Sequence, residues 1–135
     1  MRRPARLFSI AMIAAGLGPP AAAQDAEAGA ALYGDFCAVC HGMAGQGDGP
    51  MAGALTVAPP DLTMLAEDGE FPVLRVARQI DGRDPLVAHG GEMPLYGQWF
   101  EGDGADVAMT GPGGQPMMLS RPIADLIAYL MEIKS

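Results

Sequence analysis

Both cysteines of this 135-residue chain stand beside one of its two histidines, in Cys37-Ala38-Val39-Cys40-His41. That run limits what the rest of the chain can become. Joined to each other, the thiols would close only a four-residue loop (Cys37 to Cys40). Disulfides stabilise mainly by closing long loops, so this pair cannot staple the fold. Bulky apolar material is also scarce: aromatic residues make up 6% of the chain, against 19 glycines and 12 prolines. A loop-rich body of this kind needs apolar volume from elsewhere, and a large flat cofactor held at the thiols would supply it.

Residues 1–23 read as a segment apart. Arg2, Arg3 and Arg6 precede an apolar run from Leu7 to about Gly18, and small residues follow to Ala23. A basic start, a short apolar centre and an A-x-A end are the pattern of a secretory signal peptide, with cleavage expected between Ala23 and Gln24. The apolar run falls short of the ~20 residues that span a bilayer, so no stable membrane anchor is expected after cleavage. The expectation is an exported, periplasmic protein of one domain, residues 24–135.

The chain carries 8 Lys and Arg against 16 Asp and Glu, a net charge of -8. Removing the three signal arginines makes the remainder more acidic still. Nucleic-acid phosphates and anionic membrane surfaces would repel such a body. A partner with a basic face would be drawn to it, at a rate that falls as salt rises.

Residues 25–36 have helical character, with Asp25 as candidate N-cap and Leu32, Tyr33 and Phe36 on one face. A long glycine- and proline-rich stretch follows the cysteine motif. It lacks both G-x-G-x-x-G and a Gly-Lys-Ser/Thr ending, so it reads as irregular chain and not as a nucleotide loop. Val73, Val76, Ala77 and Ile80 predict an amphipathic helix, with Pro72 in its first turn and Gly82 ending it. Residues 101–118 are acidic and glycine-rich and read as an exposed loop or hairpin. A last helix starts at Ser120, with Pro122 in its first turn, Lys134 at its end and a stripe of Ile123, Leu126, Ile127 and Leu130. No sustained period-two run and no internal repeat is visible. The fold class is all-α with long loops.

Three chemistries compete for the motif. Structural zinc takes four ligands, and only His89 remains outside the run to help. A redox dithiol usually opens a helix after a strand, whereas this motif ends a helix. In the third, two thiols at this spacing form thioethers with the vinyl groups of one haem, and the adjacent His41 becomes a ligand of its iron. An exported chain can receive haem outside the cytoplasm, so signal and motif agree on haem c.

A sixth iron ligand would then come from Met43, Met51, Met64, Met93, Met109, Met117, Met118 or Met131. Met43 and Met51 lie too near His41 in sequence to reach the opposite face, and Met131 belongs to the last helix. Met93, followed by Pro94 in an irregular stretch, is preferred, with Met109, Met117 and Met118 behind it. His89 competes for the same position; otherwise it sits near the haem edge or on the surface.

The chain resembles the class I monohaem cytochromes c, and the stretch from Ile80 to Gly97 looks closest to bacterial, mainly proteobacterial, members. Gly29 and Tyr33 stand where that family has a glycine and an aromatic before the motif, and Ala124 to Leu130 looks like its C-terminal helix. The resemblance implies that these helices cross closely at Gly29, with Tyr33, Leu126 and Tyr129 packed around the crossing. It implies that the Pro60 carbonyl in Pro59-Pro60-Asp61-Leu62 accepts the His41 Nδ1–H, that Leu62 packs on the haem face, and that Met93 is the second axial ligand. By the same likeness Arg83, Tyr96 and Trp99 are candidates for contact with the haem propionates. The acidic stretch 101–118 departs from shorter members.

The resulting expectation is a monomeric one-electron carrier with a single covalent haem c, passing electrons between periplasmic redox proteins. It transforms no substrate and so is not an enzyme in itself. Its rivals are a haem subunit of a larger oxidoreductase, a gas-binding, sensing or peroxidatic haem with an open sixth position, and a haem-free thiol redox protein.

Overall fold

The computed structural model describes residues 24–83, 93–104 and 106–135. The expected signal segment and His89 lie outside the described residues. Helices α1 (Ala26–Phe36), α2 (Ala38–His41), α3 (Val73–Asp81) and α4 (Arg121–Ile133) carry the architecture. A two-stranded antiparallel sheet of β1 (Val107–Thr110) and β2 (Pro116–Leu119) is added to it. None of the described helices is long and apolar enough to cross a membrane.

Asp25 starts α1 as its sequence suggests. Its carboxylate accepts the N–H groups of Glu27 and Ala28 at 3.0 and 3.1 Å, satisfying two donors that the first helical turn leaves free. Its own N–H donates to the buried Asp125 carboxylate at 2.8 Å, which ties the start of α1 to α4. One turn on, the two helices meet at Gly29. A Cβ there would fall inside contact distance of the Asp125 carbonyl oxygen and 3.0 Å from the Leu126 nitrogen. Only glycine permits that approach, so its cost of ~1 kcal/mol within a helix is offset by packing. Tyr33, Leu126 and Ile127 are the largest fully buried side chains beside the crossing, and the Tyr33 and Tyr129 rings sit 5.1 Å apart.

The apolar stripes of α3 and α4 are buried as their spacing predicts: Val73, Val76, Ala77 and Ile80 on one, Ile123, Leu126, Ile127 and Leu130 on the other. Each fully buried Val, Leu or Ile contributes roughly 1.5–3 kcal/mol. Gly82 ends α3 in the left-handed region at φ 67°, its N–H returning to the Arg78 carbonyl. Two details differ from expectation. Pro72 occupies the cap position of α3, one residue before its first turn. Ser120 is at the cap position of α4, but its hydroxyl makes no capping bond.

The stretch 101–118 is more than a solvated insertion. Val107 pairs with Leu119 and Thr110 with Pro116, giving a hairpin whose alternate residues Val107 and Met109 are buried in the core. Glu101, Asp103 and Asp106 before it are exposed. The acidic charge is therefore displayed on an element anchored from beneath.

Substituting Gly29→Ala should cost about 2 kcal/mol or more, because an added methyl in a tight contact with backbone costs ~1–3 kcal/mol. Thermal unfolding would read this as a fall in Tm of roughly 10 °C. An unchanged or raised Tm, as helix propensity alone predicts for Gly→Ala, would contradict the close crossing.

Candidate haem site

A cavity of about 260 Å³ with mainly apolar walls opens among α1, α2, α3, α4 and the segment 60–65. The end of α1 contributes Tyr33 and Cys37, α2 contributes His41, and the loop contributes Pro60, Leu62 and Leu65. Arg75, Val76, Gln79 and Ile80 of α3 line another wall, Leu126 and Leu130 of α4 a third, and Met93 completes it. Of the residues expected at the site, Cys37, His41, Pro60, Leu62 and Met93 thus come together. Cys40 is half-buried within the same short helix as His41, its N–H donating to the Cys37 carbonyl at 3.1 Å.

Local backbone contacts explain how His41 is held. Gly47 donates to the His41 carbonyl at 2.8 Å, Gly49 to Cys40 at 3.1 Å, and Leu62 to Gly45 at 2.6 Å. At Gly47, φ is 79° and a Cβ would collide with the Pro59 carbonyl oxygen. The glycine-rich stretch, irregular by sequence, is therefore packed backbone to backbone against the two prolines. That contact brings the Pro60 carbonyl 3.3 Å from His41 Nδ1. Tyr33 closes the other side, its hydroxyl donating to the Gly42 carbonyl at 2.7 Å.

Burial pushes the His41 imidazole below its ordinary pKa, outweighing the opposing effect of the Pro60 hydrogen bond. The ring is thus kept neutral, the form that binds metals. With Nδ1–H committed to Pro60, the free lone pair is on Nε2. Burial, with Cys40 adding to it, pushes the Cys37 thiol up to about 11. Redox-active thiols need the opposite shift, so the pair is poorly suited to disulfide exchange. Among the described residues no group of three or more His, Cys, Asp or Glu could hold a metal ion. Two thiols, one neutral imidazole, a thioether and apolar walls fit a haem.

Met93 reaches this cavity through the last turn of α3. Tyr96 donates its N–H to the Ile80 carbonyl at 3.1 Å and Gly97 to Asp81 at 2.9 Å. The Tyr96 hydroxyl donates to the Phe36 carbonyl at 2.9 Å, next to Cys37. Phe36, Tyr96 and Phe100 form one aromatic cluster, with Tyr96 and Phe100 stacked at 5.2 Å. Three of the scarce aromatics thus meet where the methionine segment joins the cysteine helix.

Arg83, Tyr96 and Trp99, expected at the propionates, are absent from the cavity walls. Arg83 is held between the carboxylates of Asp81 and Glu101, the latter at 3.2 Å, where it joins the end of α3 to the acidic segment. Tyr96 has its hydroxyl committed to Phe36. Trp99 is 74% exposed. Conversely, Leu65, Arg75, Val76, Gln79, Ile80 and Leu130 line the cavity although sequence reasoning assigned them no site role. Arg75 is also paired with Glu67 at 2.9 Å.

Fold and cavity together define a mainly helical protein with an apolar cavity lined by Cys37, His41 and Met93. The chain belongs to the cytochrome c family, whose model matches residues 26–134. It is accordingly a haem-based electron carrier with covalently bound haem c and its iron. No curated protein and no solved structure matches the chain.

Covalent attachment gives a direct prediction. On a denaturing gel the wild type should retain haem staining, and the double variant Cys37→Ser/Cys40→Ser should lose it. Staining that survives in the double variant would mean attachment elsewhere.

Proposed function

We propose that this chain carries one electron at a time on a single haem c, with His41 and Met93 as the axial ligands. The observation that carries the reading is the cavity that gathers Cys37 and His41 of the α1–α2 segment and Met93 from far along the chain. When bound, the haem supplies an iron that cycles between ferric and ferrous. His41, steered by Pro60, is a fixed nitrogen donor, and Met93 is a soft sulfur donor that favours the ferrous state relative to a second histidine. The walls of α3 and α4 exclude water, which disfavours the additional positive charge of the ferric state and raises the reduction potential. Arg83, through Asp81 and Glu101, and Tyr96, through Ile80 and Phe36, support the segment bearing Met93 in this reading.

The partners we propose are exported redox proteins with basic docking faces, met in the periplasm after removal of residues 1–23. The acidic chain steers them by charge, and brief contacts of this kind bury under ~1,200 Å². A permanent subunit of a larger oxidoreductase is the second reading. It is supported by Val39, Met43, Met51 and Val57, which leave exposed apolar side chains in and after the cysteine motif. A monomer whose electron exchange slows with salt favours the free carrier; a stable, salt-insensitive complex favours the subunit.

In the ferric holoprotein, Met93→Ala should abolish the methionine-to-iron charge-transfer band and open the ferrous iron to carbon monoxide, while His89→Ala keeps the band. The reverse pattern would overturn the ligand assignment. Wild-type ferrous protein that binds carbon monoxide readily at neutral pH would favour a gas-binding haem instead.

Tyr96→Phe keeps the stacked ring and removes the hydroxyl tie to Phe36. A lost neutral hydrogen bond is worth ~1 kcal/mol. Exogenous imidazole should therefore displace Met93 from ferric iron at roughly fivefold lower concentration, as followed by the loss of the band. An unchanged midpoint would show that the tie does not hold the ligand.

A further inference from the structure

We propose that Trp99 and the recess lined by Glu101 and Asp106 form a docking surface for a basic redox protein, with the indole stacking on an arginine of that partner. This rests on the free-carrier reading above and says where the partner sits.

Trp99 is the chain's single tryptophan, and it is 74% exposed. Its neighbours set its direction. The Phe100 N–H donates to the Tyr96 carbonyl at 2.8 Å and closes a turn. Phe100 is buried and stacks on the half-buried Tyr96, so the residue before it is turned to water. The support continues beyond the indole. Glu101 is held by Arg83 at 3.2 Å, and a Cβ at Gly102 would lie 3.1 Å from Pro122 Cδ at the start of α4. Val107 and Met109 then anchor the hairpin in the core. A surface already ordered in this way loses little freedom on binding.

A recess of about 350 Å³ opens beside this segment and shares no lining residue with the haem cavity. Its walls carry Asp81, Glu101 and Asp106 against Arg78 and Arg83, one carboxylate in excess, and the exposed Met118 adds an apolar lip. The net charge of the chain, -8, has the same sign. An anionic partner is therefore repelled, and a wholly apolar one would cover these carboxylates without supplying a counter-charge. A basic partner meets both features. Arginine suits them best, because its flat guanidinium stacks on an indole while pairing with a carboxylate. Tryptophan and arginine are also the side chains that most often anchor an interface. The docked partner sits on the segment that carries Met93 rather than on the exposed Val39 and Met43 in and after the cysteine motif.

The probes are the peptides hexa-arginine and hexa-lysine, titrated by calorimetry at low salt into ferrous holoproteins: wild type, Trp99→Leu, Asp106→Asn and Glu132→Gln. Magnetic resonance of the wild type follows its single indole N–H. Trp99 and Asp106 are exposed, so their variants should fold, with Tm as the check. Glu132 is an exposed carboxylate of α4, and its variant removes the same charge elsewhere. In the wild type, hexa-arginine should bind more tightly than hexa-lysine and move the indole signal. Trp99→Leu should weaken hexa-arginine about threefold, as expected for an exposed cation–π contact, and erase the preference. Asp106→Asn should weaken both peptides about twofold, and Glu132→Gln neither. Equal losses in Asp106→Asn and Glu132→Gln would show attraction by overall charge alone and overturn the surface. An indole signal that stays still while the Val39 and Met43 amides move would overturn it too. Oxidation of ferrous wild type by ferricyanide tests the carrier reading separately. Rapid oxidation without the peptide contrasts overturns the surface alone; no oxidation overturns both.

Discussion

The approach of α1 to α4 at Gly29 is the constraint on which the site depends. Cys37 and His41 follow directly from α1, so an error in where that helix lies becomes an error in where the thiols and imidazole stand. Backbone contact with Asp125 and Leu126 fixes the separation of the helices, and the Asp25 N–H on the Asp125 carboxylate fixes the start of α1 on α4. Tyr33 then links this scaffold to the site, since it is buried at the crossing and its hydroxyl holds the Gly42 carbonyl directly after His41. A short core can position a cofactor in this way because few side chains are asked to do it.

The opposite wall is organised by the end of α3. Val76 and Ile80 offer apolar surface to the cavity, the carbonyls of Ile80 and Asp81 catch Tyr96 and Gly97, and Arg83 joins Asp81 to Glu101. The Tyr96 hydroxyl closes the circuit by returning to Phe36, one residue before Cys37. Met93 thus belongs to a segment anchored both to α3 and to the helix bearing the cysteines. Such anchoring would keep ligation unchanged between oxidation states, which keeps the reorganisation accompanying electron transfer small.

Much of this was legible wherever the information is local or periodic. The apolar stripes of α3 and α4 are visible at helical spacing, Asp25 and Gly82 mark helix ends by their own chemistry, and Cys37, Cys40 and His41 define an attachment pattern within five residues. Pro60 was reached through the likeness of its segment to a family, and a proline carbonyl bears no sequence signature of its own. What stayed hidden depends on which face a residue turns inward. Arg75 and Gln79 are spaced like an ordinary solvated helix face, and nothing local tells them from one. The acidic stretch 101–118 hid a buried Val107 and Met109 because two alternating residues are too short a period to stand out among glycines. Arg83, Tyr96 and Trp99 lie outside the cavity walls: Arg83 has carboxylates on both sides, the Tyr96 hydroxyl bonds the Phe36 carbonyl and Trp99 faces solvent.

The central claim is that Met93 and His41 hold one iron in both oxidation states. Iron-edge X-ray absorption on the purified ferric and ferrous holoprotein measures this without any substitution. The account predicts one sulfur scatterer among nitrogen donors, at nearly the same distance in the two states. A shell of nitrogen or oxygen alone, or a sulfur present in only one state, would contradict it.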